Sequence, residues 1–326
     1  MVPPAPPPAR LHAPRRGIAF VVTGVSVFSL QDAIIKLLSG QYALLEIGFV
    51  RCLVSIGPMA ALAWWERGRA GLRTRRPGLH VARGACAVLA FTTYYLALAA
   101  LPLADVVALY FAAPLFLAVL SAVILGEPVG ARRWSALAVG FLGVLIVLRP
   151  GTGVFEPAAA LAVGSAVCYA GAQTITRELG RTDGGASMAL SSTVLYLVVA
   201  LAGGLLAGRH GQESALHPSA AFLLRGWTAP DGADLALMAA CGLISGAGAY
   251  CLAQAYRAAP AGAVAPFEYV TIAWAVLWGY VFWGSVPGPA TLGGLVLTVG
   301  AGLYLGHHEA HHERVRRRLA PAVSPR

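Results

Sequence analysis

Ten apolar runs set the terms on which this chain can fold: residues 17–38, 43–65, 79–100, 103–125, 134–148, 157–176, 185–207, 233–256, 261–283 and 290–306. A helix needs about 20 mostly apolar residues to cross a hydrocarbon core of roughly 30 Å. Most of these runs reach that length, and each is bounded by charge, proline or glycine. The fifth and tenth are the shortest. The longest connection, residues 208–232, leaves no room for a soluble domain. Of 326 residues, 58% are hydrophobic and 12% charged, and the mean hydropathy of +0.70 lies outside the range of soluble domains. The expected class is an all-α integral membrane protein of ten transmembrane helices.

A net charge of +10 raises nucleic acid as a partner, but the distribution of the charge answers that. With residue 1 in the cytoplasm, 18 of the 24 Lys and Arg residues fall in inside segments. Only Arg149, Arg209 and Arg225 fall outside, and Lys36, Arg51 and Arg83 lie within runs. Positive charge concentrated on one side fixes orientation, so both termini are expected in the cytoplasm and no nucleic acid is implied.

The five cysteines, Cys52, Cys86, Cys168, Cys241 and Cys251, all lie within runs and have no CxxC spacing. An odd, scattered set argues against a disulfide frame or a metal site and suits small packing residues. The start, MVPPAPPPARLHAPRR, has the charge of a signal peptide's first region. The apolar run after it is too long and lacks a small-residue cleavage site, so residues 1–16 read as a tail before an uncleaved first span.

Distant segments repeat. At an offset of 158, the segment from Ala100 aligns without a gap on the segment from Ala258, matching Pro102 with Pro260, Val106 with Val264, Gly126 with Gly284, Gly130 with Gly288 and Leu137 with Leu295. An offset of 140 pairs the first and sixth runs more weakly, Gly24 with Gly164 and Gly40 with Gly180 among them. Residues 17–149 and 157–306 then form two five-helix units. Five is odd, so the second unit enters the membrane inverted relative to the first, as in secondary transporters whose halves enclose a central site. The chain has no HExxH, GxSxG, Walker loop or paired-Asp motif, which shifts weight to transport and leaves an integral-membrane enzyme or lipid-modifying protein as the alternative.

The stretches LPLADVVALYFAAPLFLAVLSAVILGEPVGARRWSALAVGFLGVLIVLRPG, QDAIIKLLSGQYALLEIGFVR and APFEYVTIAWAVLWGYVFWG resemble the EamA-type members of the drug/metabolite transporter superfamily. The resemblance runs over about residues 17 to 306. It implies two inverted repeats of five helices that move a small organic metabolite, without cofactor or catalytic residues. One departure is visible: Glu127 follows Gly126, but Ser285 follows Gly284, where the family often has Glu in both halves.

Charge inside the bilayer costs about 2.5–3.5 kcal/mol on insertion scales, so it should be paired or face water. Asp32 and Lys36 share a helix face. Asp32 lies about 9 Å from the outer end of its run and Arg51 about 12 Å from the same end of the next. At that shared depth they can pair, and the cluster reads equally as a helix lock or as a binding or proton-coupling group. Glu46 and Arg83 lie near run ends, where headgroup level and snorkelling explain them. Glu268 is deeper, with no basic residue at helical spacing, and the 158 offset sets Tyr110 opposite it. A Tyr and Glu pair, one per repeat, suits a central site that couples to protons or takes a cationic group. Tyr94, Tyr95, Tyr110, Phe111, Phe267, Tyr269, Trp274 and Trp278 fall in the helices around it, Tyr95 and Trp274 being candidate ligand contacts. Trp64, Trp65, Trp134 and Trp283 sit at run ends as an aromatic belt. Pro114 should kink the fourth run, Gly242 and Gly246 suit close helix approach, and the His/Arg-rich residues 307–326 read as a solvated cytoplasmic tail. The expected protein is a multi-pass carrier of the cell inner membrane with Asp32, Arg51, Tyr95, Tyr110, Glu268 and Trp274 as its site. A repeat pair of this kind is self-contained, so monomer and homodimer are both compatible with the sequence.

Overall fold

A computed structural model describes residues 14–68, 74, 76–124, 131–149, 156–180, 182–207, 217–258 and 265–319. Among these residues the fold is helical throughout: α1 (Pro14–Leu38), α2 (Leu44–Arg67), α3 (Pro77–Ala100), α4 (Leu103–Tyr110), α5 (Ala113–Ile124), α6 (Ala131–Leu148), α7 (Ala158–Leu179), α8 (Gly185–Ala207), α9 (Pro218–Leu224), α10 (Gly232–Ala258), a 3-10 turn (Ala265–Tyr269), α11 (Val270–Trp283) and α12 (Pro289–Leu319). Seven stretches are long and apolar enough to cross a membrane: Arg15–Leu38, Leu44–Glu66, Pro77–Ala100, Leu103–Leu120, Ala158–Leu179, Gly185–Leu206 and Gly232–Leu252. Trp134–Leu148 and Pro289–Tyr304 are shorter apolar helices. Gly126, Glu127, Pro260, and the terminal residues 1–13 and 320–326 lie outside the described residues.

The fourth apolar run is two helices. Pro114 has no N–H to give the Tyr110 carbonyl, and the chain turns through Phe111 and Ala112 before α5 starts. The ninth run is divided at the matching place: at an offset of 158, Phe111 and Ala112 correspond to Tyr269 and Val270, where the 3-10 turn passes into α11. Gly284 ends α11 in the left-handed conformation, φ 62°. Its N–H reaches the Tyr280 carbonyl at 2.9 Å while Ser285 N reaches the Gly279 carbonyl at 3.0 Å. These bonds close the helix on its orphan carbonyls, a turn that glycine makes without a Cβ clash.

Two features differ from the sequence expectation. The connection before α10 contains a further helix, α9, with Pro218 at its first position and the His217 side chain accepting from Ser219 N. Phe222 anchors it at 1% exposure. At the other end, α12 continues unbroken past residue 306 to Leu319, so the start of the expected tail is helix.

The four largest interfaces are α3 with α7, α1 with α10, α6 with α12, and α2 with α8. Exchanging the first five apolar runs for the last five carries α1–α10 into α7–α3 and returns α2–α8 and α6–α12 to themselves. The α6–α12 crossing is a backbone contact: a Cβ on Gly143 would stand 2.6 Å from the Gly294 carbonyl oxygen, and one on Gly294 would stand 2.5 Å from the Gly143 carbonyl oxygen. Thr298 Oγ1 donates across it to the Gly140 carbonyl at 3.4 Å, and these two residues are themselves 158 apart.

Gly143→Ala is therefore expected to cost about 1–3 kcal/mol, because backbone cannot move aside as a side chain can. Thermal unfolding in detergent should show a lowered midpoint. Gly164→Ala is the control: nothing lies within 4 Å of its would-be Cβ, and helix propensity alone predicts an equal or higher midpoint.

Candidate functional site

The polar residues of α1 project from one short segment toward α3 and α10. Asp32 accepts two phenols from α3, Tyr95 Oη at 2.7 Å and Tyr94 Oη at 3.0 Å. Gln31 Nε2 donates to Tyr95 Oη at 3.0 Å, and Ser245 Oγ of α10 donates to Gln31 Oε1 at 2.8 Å. Arg51 Nη1 of α2 donates to Ser245 Oγ at 3.1 Å. Gly242 makes the last contact possible, since a Cβ there would meet the Arg51 carbonyl oxygen at 2.6 Å and hold α10 away from α2.

These bonds form one chain. Arg51 can only donate and Ser245 accepts from it; the single Ser245 proton is shared between Gln31 Oε1 and the Cys241 carbonyl, both at 2.8 Å, and Gln31 passes the next bond from nitrogen. Tyr95 accepts from Gln31 and gives its own proton to Asp32. The chain thus runs donor to acceptor from a guanidinium to a carboxylate, each dipole strengthening the next. Arg51 is further held by Cys52 Sγ, 3.5 Å from Nη2, and by the rings of Phe91 and Tyr196, 4.0 and 5.5 Å from Cζ to centroid.

Asp32 and Arg51 are therefore joined through three side chains and not as a direct pair, which corrects the expectation of contact. Nor do Asp32 and Lys36 form an ion cluster. Lys36 Nζ instead donates to the Leu98 and Leu101 carbonyls at 2.5 and 2.6 Å, groups that the end of α3 leaves without helical partners, and it lies 5.3 Å from the Trp283 ring centroid. Glu46 is not at a lipid headgroup: it is 4% exposed and accepts from Thr228 N at 3.4 Å. Arg83 does not snorkel but ties α3 to α7 and α8 through Thr176 Oγ1, the Met188 carbonyl and Ser192 Oγ, all at 2.7–2.8 Å.

A second group lies where the two broken runs meet. Tyr110, the last residue of α4, sets its ring edge-on to Tyr94 at 5.2 Å and against Tyr169 of α7 at 5.5 Å. Glu268 stands beside Tyr269 on the 3-10 turn. Phe111 packs on Tyr269 at 4.9 Å, so residues equivalent under the 158 offset touch each other beside Tyr110 and Glu268. Tyr169 is partly exposed at the edge of these rings, and its hydroxyl accepts from Gln173 Nε2 at 2.6 Å. The Asp32, Tyr95, Tyr110 and Glu268 of the sequence reading thus belong to one polar and aromatic tract, and Arg51 joins it through Gln31 and Ser245.

Trp274 stacks on Trp278 at 5.6 Å with planes 16° apart, and its Nε1 is buried without a hydrogen-bond partner among the described residues. Trp278 Nε1 reaches Ser29 Oγ at 3.2 Å, one turn below Asp32 on α1. Gln31, Tyr169 and Ser245 were not singled out from sequence, although an amide or hydroxyl in the middle of an apolar run is a visible signal. Outside the spans, the Asp234 carboxylate accepts from Tyr42 Oη at 2.7 Å and raises that phenol above its ordinary range. Among the described residues no three His, Cys, Asp or Glu side chains gather as a metal would require.

The model of the EamA-like transporter family matches residues 15–149. The chain is 31% identical to a riboflavin transporter of Rhizobium johnstonii, over 79% of this chain and 84% of the relative. It is 25% identical to an S-adenosylmethionine uptake transporter of Rickettsia felis, over 90% of this chain and 93% of that one. A crystal structure with a TM-score of 0.57 covers 96% of the chain and is itself covered completely at 17% identity, which shows a shared fold.

A double-mutant cycle on Asp32→Asn and Tyr95→Phe should give a coupling of about 1.5–3 kcal/mol in unfolding free energy, the range for a hydrogen bond to a charged group. Additive effects would mean that the 2.7 Å contact carries no stabilisation.

Proposed function

Since the chain belongs to the EamA-like transporter family, we propose that it is a secondary transporter moving a small organic metabolite across the inner membrane by alternating access. Ten spans form two inverted repeats, and both termini are cytoplasmic, in keeping with the concentration of arginine in alternate connections. The observation that carries this reading is the meeting of equivalent residues: Phe111 packs on Tyr269, and their chain neighbours are Tyr110 and Glu268. An inverted repeat encloses its site where its pseudo-two-fold axis passes, and contact between equivalent residues marks that axis.

Tyr110 and Glu268, with Asp32 and Tyr95 above them, bind the substrate; Arg51 holds the polar chain in register, and Trp274 supplies a flat apolar face and a free N–H. Aromatic walls suit a planar ring, and the relative at 31% identity is named for riboflavin, so riboflavin is the first substrate to assay. S-adenosylmethionine is the second. The carboxylates of Asp32 and Glu268, both within the spans, give protons a place to bind, and a proton gradient is the proposed coupling ion gradient.

Purified protein in liposomes should take up riboflavin saturably, faster with an imposed pH gradient, with no other component present. Glu268→Gln should reduce that flux to background while protein level and helix content by circular dichroism stay near wild type. Undiminished flux in Glu268→Gln removes the residue from the mechanism, and absence of saturation replaces the carrier with a channel.

A further inference from the structure

We propose that the seam between α1 and α3 is the outer gate, latched by Lys36 and by the Asp32–Tyr94–Tyr95–Gln31 cluster, and that the conformation described here faces inward. This rests on the alternating-access reading above. Five hydrogen bonds cross the seam: Tyr94 and Tyr95 to Asp32, Gln31 to Tyr95, and Lys36 to the Leu98 and Leu101 carbonyls. On α1 all come from residues 31 to 36, a rise of about 7.5 Å at the outer end. Below them α1 leaves α3 and runs with α10 and α11, Ser29 accepting from Trp278.

A strap lies over the latch and is tied to both its sides. On the α3 side, Ser219 Oγ donates to the Leu96 carbonyl at 2.7 Å. On the α1 side, Arg225 Nη1 donates to the Ser39 and Tyr42 carbonyls at 2.8 and 3.1 Å. Thr228 N reaches Glu46 at the start of α2, and Phe222 is buried beneath.

Exchange of the repeats turns the α1–α3 seam upside down into the seam between α7 and α10. The α1–α3 seam is the one bonded shut here, and in alternating access a closed outer seam goes with an opening at its inner counterpart. The rigid units on either side, α1 with α10 and α3 with α7, are the two largest interfaces, so rocking would separate the seam and leave the units whole.

Hydrogen exchange of the reconstituted protein tests this without any substrate. Lys36→Met should raise exchange at residues 36–46, 96–102 and 217–231 and lower it at the inner ends of α7 and α10. A rise everywhere, or no change, would overturn the proposal, because Lys36 would then only stabilise the fold or do nothing. A second measurement avoids dependence on that variant: Lys36→Cys with Leu101→Cys, in a background with the five native cysteines replaced by alanine, joined by a cleavable bifunctional thiol reagent. The bridge should stop riboflavin flux, and cleaving it should restore flux; flux persisting with the bridge formed would refute the gate. If no flux is seen in any variant, the transporter reading fails, and the exchange pattern still decides whether the seam opens.

Discussion

Lipid offers no hydrogen bonds, so every polar group that this fold carries into the membrane has to be answered by another part of the fold. That requirement organises the interior. The guanidinium of Arg51 is answered by Ser245, Cys52 and two aromatic rings, the carboxylate of Asp32 by two phenols, and the ammonium of Lys36 by the carbonyls at the end of α3. Arg83 binds two hydroxyls and a carbonyl from two other helices. In each case a charge on one helix meets polar atoms of its neighbours, while Arg51 Nε and Trp274 Nε1 stay buried without a partner among the described residues. Polar side chains therefore act as ties between helices whose remaining contacts are apolar and interchangeable.

Much of this was legible in the sequence, because depth along a helix follows from counting residues. Asp32 and Arg51 do belong to one bonded chain, although α10 packs between α1 and α2 and carries the link, and Pro114 does break its run. Azimuth is a different matter. Counting puts Asp32 and Lys36 on one face, yet does not say that the face meets the tyrosines and the final carbonyls of α3. The Asp32–Arg51 connection was misjudged for the same reason: its intermediates, Gln31 and Ser245, are 214 residues apart and meet only when α1 packs on α10. Glu46 was assigned to the headgroups because nothing in the residues before α10 announces a strap that returns to cover it.

The repeat was visible as letters and acquires physical content in the packing. Glycines matched at an offset of 158 carry little weight alone in helices this apolar, whereas Phe111 against Tyr269 and Gly140 against Thr298 are contacts between residues 158 apart, as a two-fold relation would bring about. Pro114 and its consequences show how the relation tolerates difference: the first half breaks its helix with a proline, and the second reaches the same bend through a 3-10 turn without one at that place. The position of the bend is shared and its chemistry is not.

What sets the α1–α3 seam apart from the interfaces beside it is the share of its contact that is polar. The α1–α10 and α3–α7 interfaces also carry hydrogen bonds, Ser245 to Gln31 and Arg83 to Thr176 among them, but these sit within the two most extensive packing surfaces of the fold, whose apolar contacts yield gradually. A hydrogen bond is lost within a few tenths of an ångström and, in a low-dielectric interior, its unpaired groups are costly until water or a ligand takes them up. A seam built from such bonds is closed or open, with little between. Placing the carboxylate of Asp32 in that seam ties the choice to whatever occupies the cavity, since a cation or proton that satisfies Asp32 also removes the reason for Tyr94 and Tyr95 to stay. On the proposed reading the feature that would let the polar tract bind would also let it report that it is bound, and a single segment of α1 can serve both purposes because the bilayer leaves its polar groups nowhere else to turn.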